Sequence, residues 1–353
     1  MKKITSLLLS LSLALSLAAC GNTSDTPTTS SAPVASSSAP AASEPVEKSV
    51  TLKLGHKMNA ESLDGQAFQM FADLVSEKSN GTVKVDVFPA SQLGDGVTQV
   101  NNVLLGSQDI YAESISEWSG ITPLADVGGS VPFLFNSMDD YFDLVRGDFG
   151  KEQEAAMEAG GAKVLTTERN WIRGPYRVLC STKPIQSLED LQGLRLRTWE
   201  NASYMTCWDN LGTAPIVIGW TDTYLALSQG TADAVTSPAS QVEQMAFHEV
   251  APYITNINEF PQEISVVMNK ATFDSLSATQ QQALIDAANE AGEWASVAVY
   301  DEVEASIARM KEAGAIFYEM DTSPCTEKLT DTYKELEATG ALPAGLLASL
   351  GIG

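Results

Sequence analysis

Arg197 closes the run Leu191-Gln192-Gly193-Leu194-Arg195-Leu196-Arg197, and its guanidinium is the group in this chain best suited to gripping an anion. A planar fork of five donors at a strand end can hold a carboxylate through two parallel hydrogen bonds. Side chains alternate along a strand, so Arg195 points to the opposite face and reads as structural. Trp171, Trp199, Trp208 and Trp220 are clustered around this run. Trp199 lies two residues beyond Arg197 and shares its face if the strand continues that far. Trp208 falls in mid-helix and reads as core. The chain has 2 histidines in all, and His56 ends the first predicted strand. There is no Gly-x-Ser-x-Gly elbow, no His-Glu-x-x-His and no phosphate loop. These gaps point to a binding protein rather than an enzyme, with no cofactor, no metal site and no catalytic residues.

The elements that must position these groups can be read from periodicity. Thr51–Gly55 alternates as a first strand. A helix over Gln66–Asn80 places Ala67, Phe68, Phe71, Leu74 and Val75 on one face and stops at Asn80-Gly81. Val83, Val85 and Val87 mark a second strand, Val97 to Leu104 a helix, and Asp109–Ala112 a third strand. This β-α-β-α-β order predicts an α/β layer on a largely parallel sheet. The middle of the chain repeats the style. Ser187 is the expected N-cap of a helix over Leu188–Gln192. Strands follow at Leu194–Thr198 and Ala232–Val235, with helices at Asn201–Leu211 and Thr221–Gln229. Ser277-Ala278-Thr279-Gln280 is a capping box. It opens a helix to about Ala313 in which a break is allowed, and the tail after Thr322 carries no clear pattern.

The ends and the composition bound the compartment. Lys2 and Lys3 precede an apolar stretch, Leu7–Leu17, that is too short to span a membrane in the mature protein. Leu17-Ala18-Ala19-Cys20 resembles a bacterial lipobox. Residues 1–19 then read as a signal peptide and Cys20 as the lipidated first residue of the mature chain, anchored to the membrane on its outer or periplasmic side. Residues 20–48 are rich in Ser, Thr, Ala and Pro and read as a disordered tether. The body that follows is long for one core, which predicts two domains. With 21 Lys+Arg against 45 Asp+Glu, the net charge of -24 excludes nucleic acid as a partner. Cys180, Cys207 and Cys325 show no metal or redox spacing, and a disulfide or free buried thiols are both allowed.

Several stretches, in order and covering nearly the whole body, resemble the DctP-type substrate-binding proteins of tripartite ATP-independent periplasmic (TRAP) transporters. They are Phe88-Pro89-Ala90-Ser91-Gln92-Leu93-Gly94, Val131-Pro132-Phe133-Leu134-Phe135, Lys183-Pro184-Ile185, Asp190–Arg197, Leu211-Gly212-Thr213-Ala214-Pro215, Tyr224–Gly230 and Ala232-Asp233-Ala234. The resemblance implies an α/β, two-domain periplasmic-binding-protein-like fold with crossing hinge strands and a long helix near the C-terminus spanning both domains. Domain I would take 49–174 plus about 263–302, and domain II 175–262 plus about 303–353. The ligand would lie in the interdomain cleft and a hinge would close on it. The chain would act as a monomer and deliver an organic acid to the membrane subunits of a TRAP transporter. A ligand-sensing lipoprotein feeding a receptor would use the same cleft.

The resemblance also places site residues. Arg197 matches the arginine that pairs with the substrate carboxylate, and Arg177, with Arg173 close by as the alternative, a second arginine that reaches the ligand or braces the cleft. Glu113 falls in a loop position where some members offer a carboxylate, Trp220 replaces a pocket phenylalanine, and His56 faces the same region. Thr236-Ser237-Pro238 stands where many members have Glu-Asn-Pro, so Ser237 offers a shorter group with one donor instead of an amide's two. Gly96 lacks a carboxylate that sialic acid-binding members carry nearby. Together with Trp199 and Trp220, these departures predict an acid larger than a C4-dicarboxylate, including aromatic ones.

Overall fold

The structure, a computed structural model, describes residues 48–352 except 136, 175, 176 and 261. The leader, Cys20 and nearly all of the tether lie outside the described residues. The strands are β1 (Val50–Gly55), β2 (Val83–Phe88), β3 (Ile110–Ser114), β4 (Ala162–Val164), β5 (Arg177–Ser181), β6 (Arg195–Thr198), β7 (Ala214–Val217), β8 (Ala234–Pro238), β9 (Tyr253–Asn256), β10 (Ile264–Asn269) and β11 (Ile316–Glu319). The helices are α1 (Leu63–Lys78), α2 (Gly96–Leu104), α3 (Met138–Val145), α4 (Asp148–Ala159), α5 (Ala202–Asn210), α6 (Thr223–Ser228), α7 (Ala239–Gln244), α8 (Phe247–Val250), α9 (Lys270–Asp274), α10 (Ala278–Glu312), α11 (Ser323–Ala338) and α12 (Leu346–Ser349).

Two sheets carry the α/β fold. The first has the order β2-β1-β3-β10-β4 and the second β11-β9-β5-β8-β6-β7. In the first sheet β1 pairs parallel with β2 and β3, as the β-α-β order predicts. The parallel pattern stops where β10 enters, antiparallel to both β3 and β4. Its direction follows from its route. The chain crosses to the second sheet between β4 and β5 and returns between β9 and β10, and the two passes run antiparallel. Ile172 is bridged to Glu263, Arg173 N donates to Gln262 O at 2.9 Å, and Ile264 N donates to Trp171 O at 2.9 Å. A strand arriving by that return path enters the first sheet head-on to β3.

Local sequence explains the helices that frame the cleft. Ser62 caps α1 through Oγ, which accepts from Gly65 N, and the helix buries Ala67, Phe68, Phe71 and Val75 against the first sheet. The reciprocal Ser277–Gln280 capping box starts α10, which runs unbroken for 35 residues. Its first half packs Leu284, Ala287, Ala288 and Ala291 into the core of the first sheet, and its second half packs Val303 and Met310 into that of the second. The break that the sequence allowed is absent, and Gly292 shows what a glycine does in mid-helix. A Cβ there would lie 2.8 Å from Asn170 Oδ1 and 3.0 Å from Trp171 Cβ, so the missing side chain lets the crossing segment press against α10.

Three other expectations change. The helix predicted over Leu188–Gln192 is a single 3-10 turn, Glu189–Leu191. The Ser187 side chain does not cap it by accepting a bond; the N–H and hydroxyl of Ser187 both donate to Asp190 Oδ2, at 3.0 and 3.1 Å. The segment containing Val127, Val131, Phe133 and Leu134, placed with domain I by its sequence position, packs instead with Leu196, Trp208 and Tyr333 of the second lobe. The tail that carried no clear pattern forms α11 and α12, which bury Leu329, Tyr333, Leu336, Leu346 and Leu347 in the same cluster. Cys180, Cys207 and Cys325 are free and buried, and burial pushes the Cys207 thiol up to about 12.

Candidate functional site

A small cavity of ≈ 40 Å³ lies where the ends of β3, β6 and β8 meet the crossing segments. A larger cavity of ≈ 400 Å³ adjoins it, and both share Lys57, Glu117, Arg197, Trp199 and Trp220 as walls. Arg197, one residue before the end of β6, faces inward, with only 5 % of its surface exposed. Its Nε donates to Ile218 O at 2.9 Å, and its guanidinium carbon sits 5.2 Å from the Trp220 ring centroid. Among the described residues it has no acidic partner. Arg169, Arg173 and Arg177 are buried too, yet each meets a carboxylate: Glu263, Asp64 with Glu113, and Glu259 respectively. Burial without such a partner pulls Arg197 down to about 10, the charge of Arg177 adding to that against the opposing pull of Tyr204, Glu117 and Glu113. It remains a cation at neutral pH, desolvated and turned toward the cavity.

Arg177 lines the same cavity but its donors are committed. Nε donates to Glu259 Oε2 at 2.8 Å, Nη2 to Thr236 Oγ1 at 2.8 Å, and Nη1 to Gln262 Oε1. Its guanidinium also lies over Phe260. That arrangement braces the return pass of the hinge against β5 and β8. Glu113 is a buried β3 residue rather than part of a loop, because the strand runs to Ser114. Burial alone would raise its pKa. Arg173, Lys57 and the Ser114 N–H outweigh that and hold it at about 2. Its Oε2 is buried with no hydrogen-bond partner among the described residues, and Lys57 Nζ lies 3.8 Å from it.

The remaining expected residues divide. Trp199 and Trp220 both wall the cavities, and both indole N–H groups are buried without a partner among the described residues. Strand alternation does not place Trp199, since β6 ends at Thr198; a 4.0 Å stack on Tyr204 does. Ser237 lines the small cavity from β8. Trp208 is core, with its indole N–H donating to Glu259 Oε1 at 2.8 Å. Arg195 is exposed on the other face of β6 and paired with Asp233. His56 is not on the cavity wall. Its ring turns toward α1, 4.7 Å from Phe68, with both nitrogens buried and unpartnered among the described residues. Burial there lowers its pKa to about 4.

The fold brings to this wall several groups that had no settled role in the sequence. Arg173, on the outgoing crossing segment, joins α1 to β3 by donating to Asp64 Oδ2 at 2.9 Å and to Glu113 Oε1, and leaves Nη2 buried and unpartnered among the described residues. Gln241 of α7 donates to the same Asp64 oxygen at 2.9 Å, linking the two lobes. Lys57 binds Glu117 at 2.6 Å. Glu117 also packs against Gly96: its Oε2 lies 2.0 Å from where a Cβ on Gly96 would stand, so the missing side chain leaves room for this carboxylate. The usable signal was Gly96 itself: a glycine at the first turn of α2 leaves room for a neighbour.

A two-sheet α/β fold with a cleft at its crossing strands, a spanning helix and a desolvated arginine inside defines an extracytoplasmic solute-binding protein. The family of bacterial extracellular solute-binding proteins, family 7 (DctP), matches residues 54–339, and the chain belongs to it. The 2,3-diketo-L-gulonate-binding periplasmic protein YiaO of Escherichia coli is 29 % identical over 287 residues, covering 81 % of this chain and 86 % of that one. The sugar acid binding protein of Advenella mimigardefordensis in complex with galactonate superposes with a TM-score of 0.77 at 26 % identity, covering 83 % of this chain and 94 % of that one. A TRAP periplasmic solute-binding protein of Roseobacter denitrificans with bound β-D-glucuronate gives a TM-score of 0.79 at 23 % identity, covering 85 % and 98 %.

Proposed function

We propose that this solute-binding protein captures a sugar acid, its carboxylate on Arg197, and passes it to the membrane subunits of a TRAP transporter. The observation that carries the reading is the buried Arg197 guanidinium without an acidic partner, on a wall otherwise rich in polar groups. A buried unpaired charge costs several kcal/mol, and a ligand carboxylate removes that cost. Glu113 Oε2, Ser237, Gln241 and Gln262 can accept or donate to hydroxyls, while the Trp199 and Trp220 rings suit the C–H faces of a sugar. This polar lining favours a hydroxylated acid over the aromatic acids that the tryptophans alone suggested. The ligands named for the relatives above, diketogulonate, galactonate and glucuronate, are of the same class.

Two domains hinge in this reading at the paired crossing segments around Ile172 and Glu263, and the protein works as a monomer. The Leu17–Cys20 motif supports attachment through a lipid on Cys20, with residues 21–48 as tether. A Cys20→Ala variant expressed in its host should leave the membrane fraction; a variant that stays there removes the anchor from the account. The carboxylate reading is tested by thermal shift and calorimetry across a panel of sugar acids and C4-dicarboxylates. A true ligand at a hundred times its dissociation constant adds about 2.7 kcal/mol of stability. Arg197→Ala should abolish that gain, and Arg197→Lys should lose most of it because a point charge cannot copy the fork. An unchanged affinity in Arg197→Ala overturns the reading.

A further inference from the structure

The two cavities differ tenfold in volume, ≈ 40 against ≈ 400 Å³, and share Arg197 as a wall. The smaller one accommodates about three water-sized groups, enough for a carboxylate and little more. The larger one falls in the range of a complete small-molecule site. A ligand whose carboxylate reaches Arg197 in the small cavity therefore places its body between Trp199 and Trp220 and continues into the larger one.

The walls of the larger cavity specify what continues there. Val97 of α2 and Val217 of β7 line it while remaining 47 % and 50 % exposed, an apolar rim contributed by both lobes. Around them stand Asp95, Glu117, Glu200 and Asp222, against Lys57 and Arg197 as the cations. Four acidic groups against two basic ones leave two negative charges in excess. Lys57 is held by Glu117 at 2.6 Å, and Asp95 Oδ1 accepts from Thr98 N at 2.8 Å. A second carboxylate on the ligand would meet this acidic wall and be repelled. A neutral ring with hydroxyls would not, since hydroxyls donate to carboxylates while C–H faces cover the valines and indoles.

We infer that the larger cavity is a second subsite for a neutral sugar ring, and that the preferred ligand is an acidic disaccharide with one carboxylate. The inference rests on the carboxylate reading of Arg197, and its test separates the two. Calorimetry on the full mature chain would compare an aldobiouronate (one uronate linked to one neutral sugar), galacturonate, digalacturonate and a neutral disaccharide. The aldobiouronate should bind about tenfold more tightly than galacturonate, a modest gain for a whole added ring. Digalacturonate should bind more weakly than the aldobiouronate, and the neutral disaccharide should not bind measurably. Val217→Trp, which narrows the larger cavity from an exposed edge-strand position, should cut the aldobiouronate-to-galacturonate affinity ratio back toward one. Equal or tighter binding of galacturonate, or a ratio unmoved by Val217→Trp, overturns the second subsite while leaving the carboxylate site standing. Binding of the neutral disaccharide in preference to every acid overturns both.

Discussion

Arg177 and Arg197 stand on the same sheet, on β5 and β6 with β8 between them, and are buried alike at 4 % and 5 % exposed. Their surroundings are opposite. Arg177 spends its donors on Glu259, Thr236 and Gln262, whereas Arg197 has one backbone carbonyl and an indole ring. Burial by itself therefore does not mark a ligand-binding arginine. The distinguishing feature is a desolvated cation left uncompensated by the protein, because only that cation gains more from a ligand than it loses. Arg173 falls between the two, paired with two carboxylates yet keeping one Nη unpartnered at the cavity.

The comparison breaks most visibly at Arg177. Arg177→Ala should leave Glu259 charged and unpaired beside the hinge and cost about 3–5 kcal/mol in urea unfolding. Combining it with Glu259→Gln should recover part of that loss, since the two sites are coupled. A variant that unfolds like the parent would show that the brace contributes nothing. Arg197→Ala should do the reverse. The ligand-free protein should be as stable as the parent or more so, while affinity falls by about a hundredfold or more, on the order of 3 kcal/mol for a desolvated charge pair. A large loss of ligand-free stability would mean that Arg197 supports the fold and that its contrast with Arg177 is mistaken.

What could be read without the fold was whatever is local. Arg197 was legible because its strand is short, bounded by Gly193, and alternates with Arg195. The start of α10 was legible from four residues, Ser277 to Gln280. Arg173 was not, because its partners Glu113 and Asp64 lie 60 and 109 residues away and meet it only when the chain crosses between sheets. The direction of β10 was hidden for the same reason: it depends on the end from which the chain re-enters the sheet. Val127–Leu134 has an apolar pattern that any core could accept, so its docking on the second lobe could not be seen in the pattern. The direction of the His56 ring was hidden as well, because the end of a strand fixes where the backbone stops but not which way the next ring turns.

His56 is the titrating counterpart of these arginines, buried and unpartnered but free to shed its charge. Burial lowers its pKa from 6.5 to about 4, with the positive Arg173 helping and the negative Glu113 opposing. Between those values the unfolded chain takes up a proton that the folded chain refuses. The contribution is therefore full above pH 6.5 and is lost as pH falls toward 4, reaching about 2 kcal/mol of lost stability at pH 5. Glu113, held at about 2, titrates below that window. Unfolding measured from pH 7 to 5 should show a shallower fall for His56→Leu than for the parent, and parallel curves would rule the effect out.

Arg195 supplies the smallest effect and the cleanest control on the face assignment of β6. Its side chain is 45 % exposed and pairs with Asp233 through Nη2 and Nε, the latter at 2.9 Å. Solvent and salt screen such a pair, so Arg195→Ala should move the unfolding midpoint far less than Arg177→Ala. Strand position should hold as well. Asp233 Oδ2 also accepts from the backbone N–H of Arg195 at 3.0 Å, and that bond survives loss of the side chain. The parallel register of β6 on β7, with Arg195 opposite Ala214 and Arg197 opposite Ile216, is made by backbone groups that the substitution leaves alone. Ligand affinity should therefore be unchanged within error by calorimetry, two residues from a substitution that abolishes it. A tenfold drop in Arg195→Ala would mean that the outer face of β6 sets the aim of Arg197, and the separation of a binding face from a structural face along this strand would have to be abandoned.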